Sequence, residues 1–351
     1  MTPGLAEKIG AVDDHGGSLG RARALFPQAP QPFVDLSTGI NPHSYPLFDL
    51  PATAFTRLPE AARLEELKRV AAKAYGVPDA ANVAAAPGTQ ILLPLVMALV
   101  PPGRAKVLGP TYAEHARAAA LAGHEVEEVN DFNALFEADV GVIVNPNNPD
   151  GKVMARQELL ALAERLAGRG GLLVVDEAFM DVGPRAESVA GDVRRPGLVV
   201  LRSFGKFFGL AGVRLGFVLA EQQLAARLES ALGPWAVSGP ALEMGNRALA
   251  DLRWQETMRS RLADEAERLD KLLKRFGLSV TGGTTLYRLV ETPEAPELFE
   301  ALGRSGILVR NFGWSSSALR FGLPGDEAAW KRLKQALTAW RNQNDFKELA
   351  S

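Results

Sequence analysis

Three short apolar runs constrain this chain more than any other feature. Val140 to Asn145, Leu172 to Val175 and Leu198 to Leu201 are rich in Val and Leu and lack the alternation of a strand with one wet face. Such runs read as strands buried on both sides, which a parallel sheet covered by helices requires. Further strands are expected at Val83 to Ala86, Ala105 to Leu108, Glu125 to Val129 and Leu215 to Leu219. Helical spacing separates them. From Pro59 to Tyr75 the positions of Leu64, Leu67, Val70, Ala71 and Ala74 form one apolar face, ended by Gly76 and Pro78. Helices are also expected over Ile91 to Val100, Tyr112 to Ala122, Ala155 to Ala167 and Glu221 to Leu232. Strands alternating with helices predict a parallel sheet with right-handed crossovers.

The alternation breaks at Gly233-Pro234, which predicts a division into an N-terminal arm (1–44), a large domain (45–234) and a smaller α+β domain (235–351). The arm is rich in Gly, Pro and short polar residues and shows one short strand near Phe33 to Leu36. It reads either as a loose tail or, through His15-Gly16-Gly17 and Gly39-Ile40-Asn41-Pro42, as backbone that can approach a ligand closely. In the last domain helices are expected at Pro240 to Leu249, Leu252 to Phe276, Pro296 to Arg304 and Asp326 to Arg341. Strands are expected near Leu278 to Thr281, Thr285 to Val290, Ile307 to Val309 and Ala318 to Phe321.

Composition narrows the class of partner. A formal net charge of −2 with both signs scattered argues against a nucleic-acid or membrane footprint and for small molecules. There is no cysteine, and the four histidines are not spaced as metal ligands, so no metal site is expected. No apolar run approaches the roughly 18 residues of a membrane helix and no signal segment is visible, so the expected location is cytoplasmic.

In open parallel sheets ligands collect where the strands end. Three ends here are polar: Asn145-Pro146-Asn147-Asn148-Pro149, Asp176-Glu177, and Ser203 with Lys206. A lysine among small and aromatic residues is either an ordinary surface lysine on a Gly-rich loop or a desolvated nucleophile. Pro87-Gly88-Thr89-Gln90, between a strand and a helix, is either an anion cradle or a helix capped by Thr89. A lysine amine, a buried aspartate and an anion cradle are together what pyridoxal phosphate requires, and Arg214 lies on the lysine's own segment.

NPNNPDG, VVDEAF and SFGKFFGLAGVRLG, in that order, resemble the signature of fold type I pyridoxal phosphate enzymes of the aminotransferase class I and II group. The resemblance runs from about residue 30 to residue 325. It implies an α/β fold, with a mostly parallel sheet between helices and a smaller α+β C-terminal domain, in a homodimer with composite active sites. It also implies pyridoxal 5′-phosphate bonded through its aldehyde carbon to Lys206, with Asp176 on the pyridine nitrogen, Asn148 on the ring O3′ and Tyr112 stacked on the ring. Gly88, Thr89, Gln90, Ser203 and Arg214 would hold the phosphate, and Arg320 a substrate carboxylate.

Two departures narrow the group. Phe179 stands where relatives that transaminate histidinol phosphate usually have a tyrosine, and Arg57-Leu58-Pro59 stands where they usually have Arg-Tyr-Pro. With His15-Gly16-Gly17 and DLSTGINP, these resemble the threonine-phosphate decarboxylase branch of cobalamin biosynthesis. That branch converts L-threonine O-3-phosphate to (R)-1-amino-2-propanol O-2-phosphate and carbon dioxide. His15, Gly16, Gly17, Asn41, Arg310 and Arg320 are then the candidate residues for a small phosphorylated amino acid. Motifs shared across a superfamily underdetermine chemistry, so a histidinol-phosphate or related aminotransferase is the alternative. A non-catalytic protein that kept the fold would be expected to lose Lys206, which is present.

Overall fold

In the computed structural model, which describes residues 15–350, the apolar runs become neighbouring strands buried on both faces. The described strands are β1 (Val34–Leu36), β2 (Val83–Ala86), β3 (Arg104–Leu108), β4 (Glu125–Val129), β5 (Val140–Val144) and β6 (Leu172–Asp176). They continue as β7 (Leu198–Ser203), β8 (Gly216–Ala220), β9 (Val280–Thr284), β10 (Tyr287–Glu291), β11 (Ile307–Phe312) and β12 (Ser315–Gly322). None of the described helices is long and apolar enough to cross a membrane.

The chain divides into two compact units, one made of Ser44–Glu256 and the other of the stretches that end at His43 and begin at Thr257. The first unit therefore runs past Gly233-Pro234, and its helix Gly239–Ala250 packs on the helix Ala61–Tyr75. Seven strands form its sheet in the order β2-β8-β7-β6-β5-β3-β4. Strands β3 to β7 run parallel, but β8 is antiparallel to both neighbours, β2 and β7. The departure from an all-parallel sheet has a simple cause. A parallel return needs a crossover of a dozen or more residues, usually a helix. The segment between β7 and β8, residues 204–215, only just reaches that length and carries no helix that could cross a sheet face, only the four-residue Phe204–Phe207 and a short turn. Val142, Val174, Val199, Leu201 and Val218 pack with Leu92, Val96, Met97 and Ala119 in the core. At the edge, β4 reads EVEEV and exposes three glutamates, charges that discourage pairing with another chain.

The second unit has a five-stranded sheet, β1-β11-β12-β10-β9, with β1 parallel to β11 and the other pairs antiparallel. The N-terminal stretch thus supplies an edge strand to a sheet made otherwise of C-terminal residues. A helix at Leu19–Leu25, absent from the sequence expectation, precedes it. Seven residues with two arginines and a glycine carry too little periodicity to show; the helix is held through Ala22, Leu19 and Phe26 packed with Phe33, Leu308 and Phe299. Strands β11 and β12 are longer than the expected apolar runs because their hairpin takes in mostly polar residues: Arg310 and Asn311 pair with Arg320 and Leu319, and Phe312 with Ser315.

Candidate active site

Strand direction gathers the polar residues of the first unit at one edge of its sheet. Strands β5, β6 and β7 are parallel neighbours, so their carboxyl ends, leading to Asn148, Asp176 and Ser203, lie side by side. Because β8 runs the other way, its amino end lies at that same edge and brings Arg214 with it. Strands β2 and β3 end there too, followed by Gly88 and Tyr112. The result is a pocket of about 170 Å³ lined by Gly88, Thr89, Gln90, Tyr112, Asn148, Asp176, Phe179, Ser203, Lys206 and Arg214, among others.

Lys206 sits in the helix Phe204–Phe207, whose other residues are buried. Aromatic rings seat that helix. Phe204 stacks on Phe208 (4.6 Å between centroids), Phe208 on Trp254 (5.6 Å), and Tyr45 meets Trp254 edge-on (5.1 Å). Such pairs stabilise beyond area burial and fix geometry. The lysine Nζ lies 5.8 Å from the centre of the Phe179 ring, which has no hydroxyl to offer.

Asp176 is buried and doubly engaged: Oδ1 accepts the Ala178 N–H (3.0 Å) and Oδ2 lies 2.9 Å from His115 Nε2. His115 is fully buried three residues after Tyr112, and sequence reasoning missed it. A lone histidine on a helix carries no signal of its own; only the packing of the helix Glu114–Leu121 brings its ring to the end of β6. Behind this edge, Arg202 bridges Glu177 (2.9 Å) and Asp181 (2.7 Å) and covers the Tyr75 ring (4.3 Å), all within the interior. Burial raises the Glu177 carboxyl. It also works against the Arg202 charge, but Asp181 and Glu177 outweigh desolvation and hold that guanidinium above the arginine range, so the cluster keeps its cation. It ties the residue after Asp176 to the residue before Ser203.

Gly88 has φ of 89°, and a Cβ there would stand 2.6 Å from Arg214 Nη2; one at Gly216 would stand 2.5 Å from the Thr89 N. Bare backbone is needed at both places. Arg214 itself takes a left-handed φ of 54°, uncommon for a residue with a side chain and costly unless the surroundings impose it. Thr89 lies in a 3-10 turn whose cap residue is Gly88. The Gln90 amide donates to Glu114 (2.7 Å) and accepts from the Tyr112 hydroxyl (3.0 Å), so what Gln90 offers the pocket is its backbone. Desolvation, helped by the charges of Glu114 and Asp176, pushes the Tyr112 phenol up to about 12, so it stays a donor near neutrality. In NPNNPDG, Asn145 accepts the Met154 N–H, Asn147 donates to the Pro110 carbonyl of the segment after β3, and Asn148 lines the pocket.

The remaining candidates, His15, Gly16, Gly17, Asn41, Arg310 and Arg320, belong to the second unit. Arg310 and Arg320 are direct cross-strand partners on β11 and β12, so their side chains leave the same face of the sheet. Arg320 is buried, donates to the Ser37 carbonyl (2.7 Å) and lies 4.9 Å from the Tyr287 ring centre. Desolvation, with the Arg310 charge adding to it, pushes Arg320 down to about 10, still a cation near neutrality. Gly16 and Gly17 form a turn against Ser37, with His15 exposed beside it. Asn41 is buried and caps its own turn by accepting the His43 N–H (2.8 Å).

The aminotransferase class I and II description matches residues 51–337. The chain belongs to that family. Its curated relatives include a threonine-phosphate decarboxylase from Pseudomonas aeruginosa, 44% identical over 93% of this chain and 98% of that protein. Another threonine-phosphate decarboxylase, from a Sinorhizobium species, is 43% identical over 92% and 97%. Among solved structures, a histidinol-phosphate aminotransferase from Sinorhizobium meliloti in complex with pyridoxal-5′-phosphate superposes with a TM-score of 0.80 at 20% identity, covering 98% of both chains. At that identity the likeness speaks for the fold.

The family depends on pyridoxal 5′-phosphate, and the first unit's pocket fits it. A primary amine, a buried carboxylate and a glycine-lined arginine line the same pocket, which matches an aldehyde, a basic ring nitrogen and a phosphate. His115 bears on this fit through Asp176. A hydrogen bond to a charged group is worth about 1.5–3 kcal/mol, so His115→Phe is expected to weaken cofactor retention about 10- to 100-fold, read by equilibrium dialysis. Retention equal to the wild type would remove His115 from the site.

Proposed function

We propose that the chain is a pyridoxal-phosphate-dependent carboxy-lyase that converts L-threonine O-3-phosphate to (R)-1-amino-2-propanol O-2-phosphate and carbon dioxide. The observation that carries this reading is the cross-strand pair Arg310 and Arg320: two cations on one sheet face suit a substrate with a phosphate and a carboxylate. It agrees with the two threonine-phosphate decarboxylases that are 44% and 43% identical to this chain.

In this reading Lys206 would bond the cofactor aldehyde, Asp176 with His115 behind it would keep a proton on the ring nitrogen, and Asn148 would donate to O3′. Tyr112 would lie against the ring, while the backbone of Gly88, Thr89 and Gln90, with Ser203 and Arg214, would take the phosphate. When bound, the cofactor supplies an electron sink for the bond that breaks at the substrate α-carbon. The protein decides which bond that is. Arg310 and Arg320, helped by His15, Gly16, Gly17 and Asn41, hold the substrate's two anions so that the carboxylate is presented for cleavage, which is an orientation effect. With the substrate amine in its place at the aldehyde, the Lys206 amine would be released, and it would carry the proton given up by the substrate ammonium to the α-carbon.

The substrate brings a hazard, because a phosphate on the neighbouring carbon is a good leaving group. A tight clamp on that phosphate resists its loss. Arg310→Ala is therefore expected to raise the fraction of turnovers that release inorganic phosphate, read beside carbon dioxide. Unchanged release per turnover with a lower rate would remove Arg310 from the clamp.

The active form in this reading is a homodimer. Large apolar side chains stand exposed in the first unit at Leu47, Phe55, Leu58 and Trp235. Pro59 and Trp235 line one groove of about 410 Å³. Exposed apolar side chains beside such a groove suit a protein partner, here a second copy. A Leu58→Glu, Trp235→Ala variant is expected to sediment as a monomer, whereas a dimer as tight as the wild type would move the interface elsewhere.

The deciding assay is purified protein with threonine phosphate and, separately, with histidinol phosphate plus a keto acid. Carbon dioxide from the first supports the reading; a keto product from the second alone replaces it with the aminotransferase.

A further inference from the structure

Ser37 joins three segments of the second unit that are far apart in sequence. It follows β1 and is buried. Its hydroxyl donates to Asp35 Oδ1 (2.6 Å) and accepts the Gly17 N–H (2.7 Å), and its own N–H donates to the same Asp35 oxygen (2.9 Å). Its carbonyl accepts from Arg320 Nη2 (2.7 Å). The turn comes so close that a Cβ on Gly16 would lie 2.4 Å from the Ser37 carbonyl oxygen. The chain then crosses β12, where a Cβ on Gly322 would lie 2.7 Å from the Thr38 carbonyl oxygen.

We infer that Ser37 is a positioning residue: its hydroxyl, anchored by Asp35, clasps the turn His15–Gly17, while its carbonyl aims Arg320 toward the same anionic substrate. The inference rests on the reading of these residues as the phosphate and carboxylate site.

The two halves of the clasp can be separated. The helix that follows the turn is held by apolar contacts of Leu19, Ala22 and Phe26, which do not involve Ser37. The Arg320 contact is made by a backbone carbonyl, which any residue provides. Ser37→Ala therefore removes the hydroxyl bridge between the turn and Asp35 and leaves both the helix and the Arg320 contact. Asp35 holds the hydroxyl proton, so the oxygen faces the Gly17 amide as an acceptor, and a carboxylate in the chain makes both bonds stronger than neutral ones. A serine used only for packing would not need that arrangement.

The test compares the wild type, Ser37→Ala and Ser37→Thr, each loaded with pyridoxal phosphate. Ser37→Ala is expected to speed hydrogen exchange at the Gly17 amide, to raise KM for threonine phosphate about 10- to 100-fold, and to leave kcat within about threefold. Ser37→Thr, which keeps the hydroxyl, is expected to restore both the protection and most of the KM. An unchanged KM in Ser37→Ala, or no recovery in Ser37→Thr despite restored Gly17 protection, overturns the role. Calorimetric binding of inorganic phosphate to the same loaded proteins separates this inference from the assigned reaction. If the wild type makes no carbon dioxide, the decarboxylase reading fails, yet phosphate binding about tenfold weaker in Ser37→Ala still supports the clasp. Equal phosphate binding, or none in either protein, overturns it.

Discussion

Lys206→Ala is expected to lower turnover by more than about 10⁴-fold, because the substitution removes two functions at once. Loss of a positioned proton-transfer group alone costs about 10²–10⁴-fold. Here the same amine is also the covalent anchor of the cofactor in the proposed reading, and Lys206 carries the one primary amine among the residues lining the pocket. Borohydride should fix the cofactor to a peptide containing Lys206 in the wild type and to none in the variant. The seat of Lys206 argues that this loss is chemical rather than structural. Its helix is held by Phe204, Phe207, Phe208 and Trp254, which the variant leaves in place. A small exogenous amine should then recover part of the rate. Borohydride fixation at another lysine would overturn the assignment.

The second large effect is expected at Asp176. Asp176→Asn keeps the shape and can keep the oxygen that accepts the Ala178 N–H, but it removes the negative charge beside His115. Fixed charge aimed at a site where charge develops is worth about 10²–10³-fold in kcat. The variant should show that loss at saturating cofactor, with thermal stability changed far less than activity. A kcat within about tenfold of the wild type would remove the carboxylate from the reaction and leave it a structural partner of His115.

The buried strands were legible because both faces of each are covered, so no polar residue interrupts the run until the strand ends. For the same reason the ends stood out: Asn145, Asp176 and Arg202 each follow an apolar stretch directly, and Asn148 and Ser203 come just after. Arg214 was legible only as a neighbour of Lys206 in the chain. What brings it to the pocket is the reversal of β8, and strand direction leaves no mark on residue content. His115 was invisible for a related reason, since a buried histidine in a helix looks the same in sequence whether or not a carboxylate waits at the end of a strand far along the chain. The second unit hid more. Its sheet takes β1 from one end of the chain and four strands from the other, and pairing at that separation depends on packing that no local pattern records.

By itself the sequence determined the alternation of strand and helix, the family, and the types of residue at the strand ends, because burial and turn chemistry act over a few neighbouring residues. Only the tertiary structure decided that β8 reverses, that His115 backs Asp176, that Arg310 stands across from Arg320, and that Ser37 ties the N-terminal turn to Arg320. Each of these is a contact between segments distant in the chain, fixed by the closing of sheets rather than by local preference.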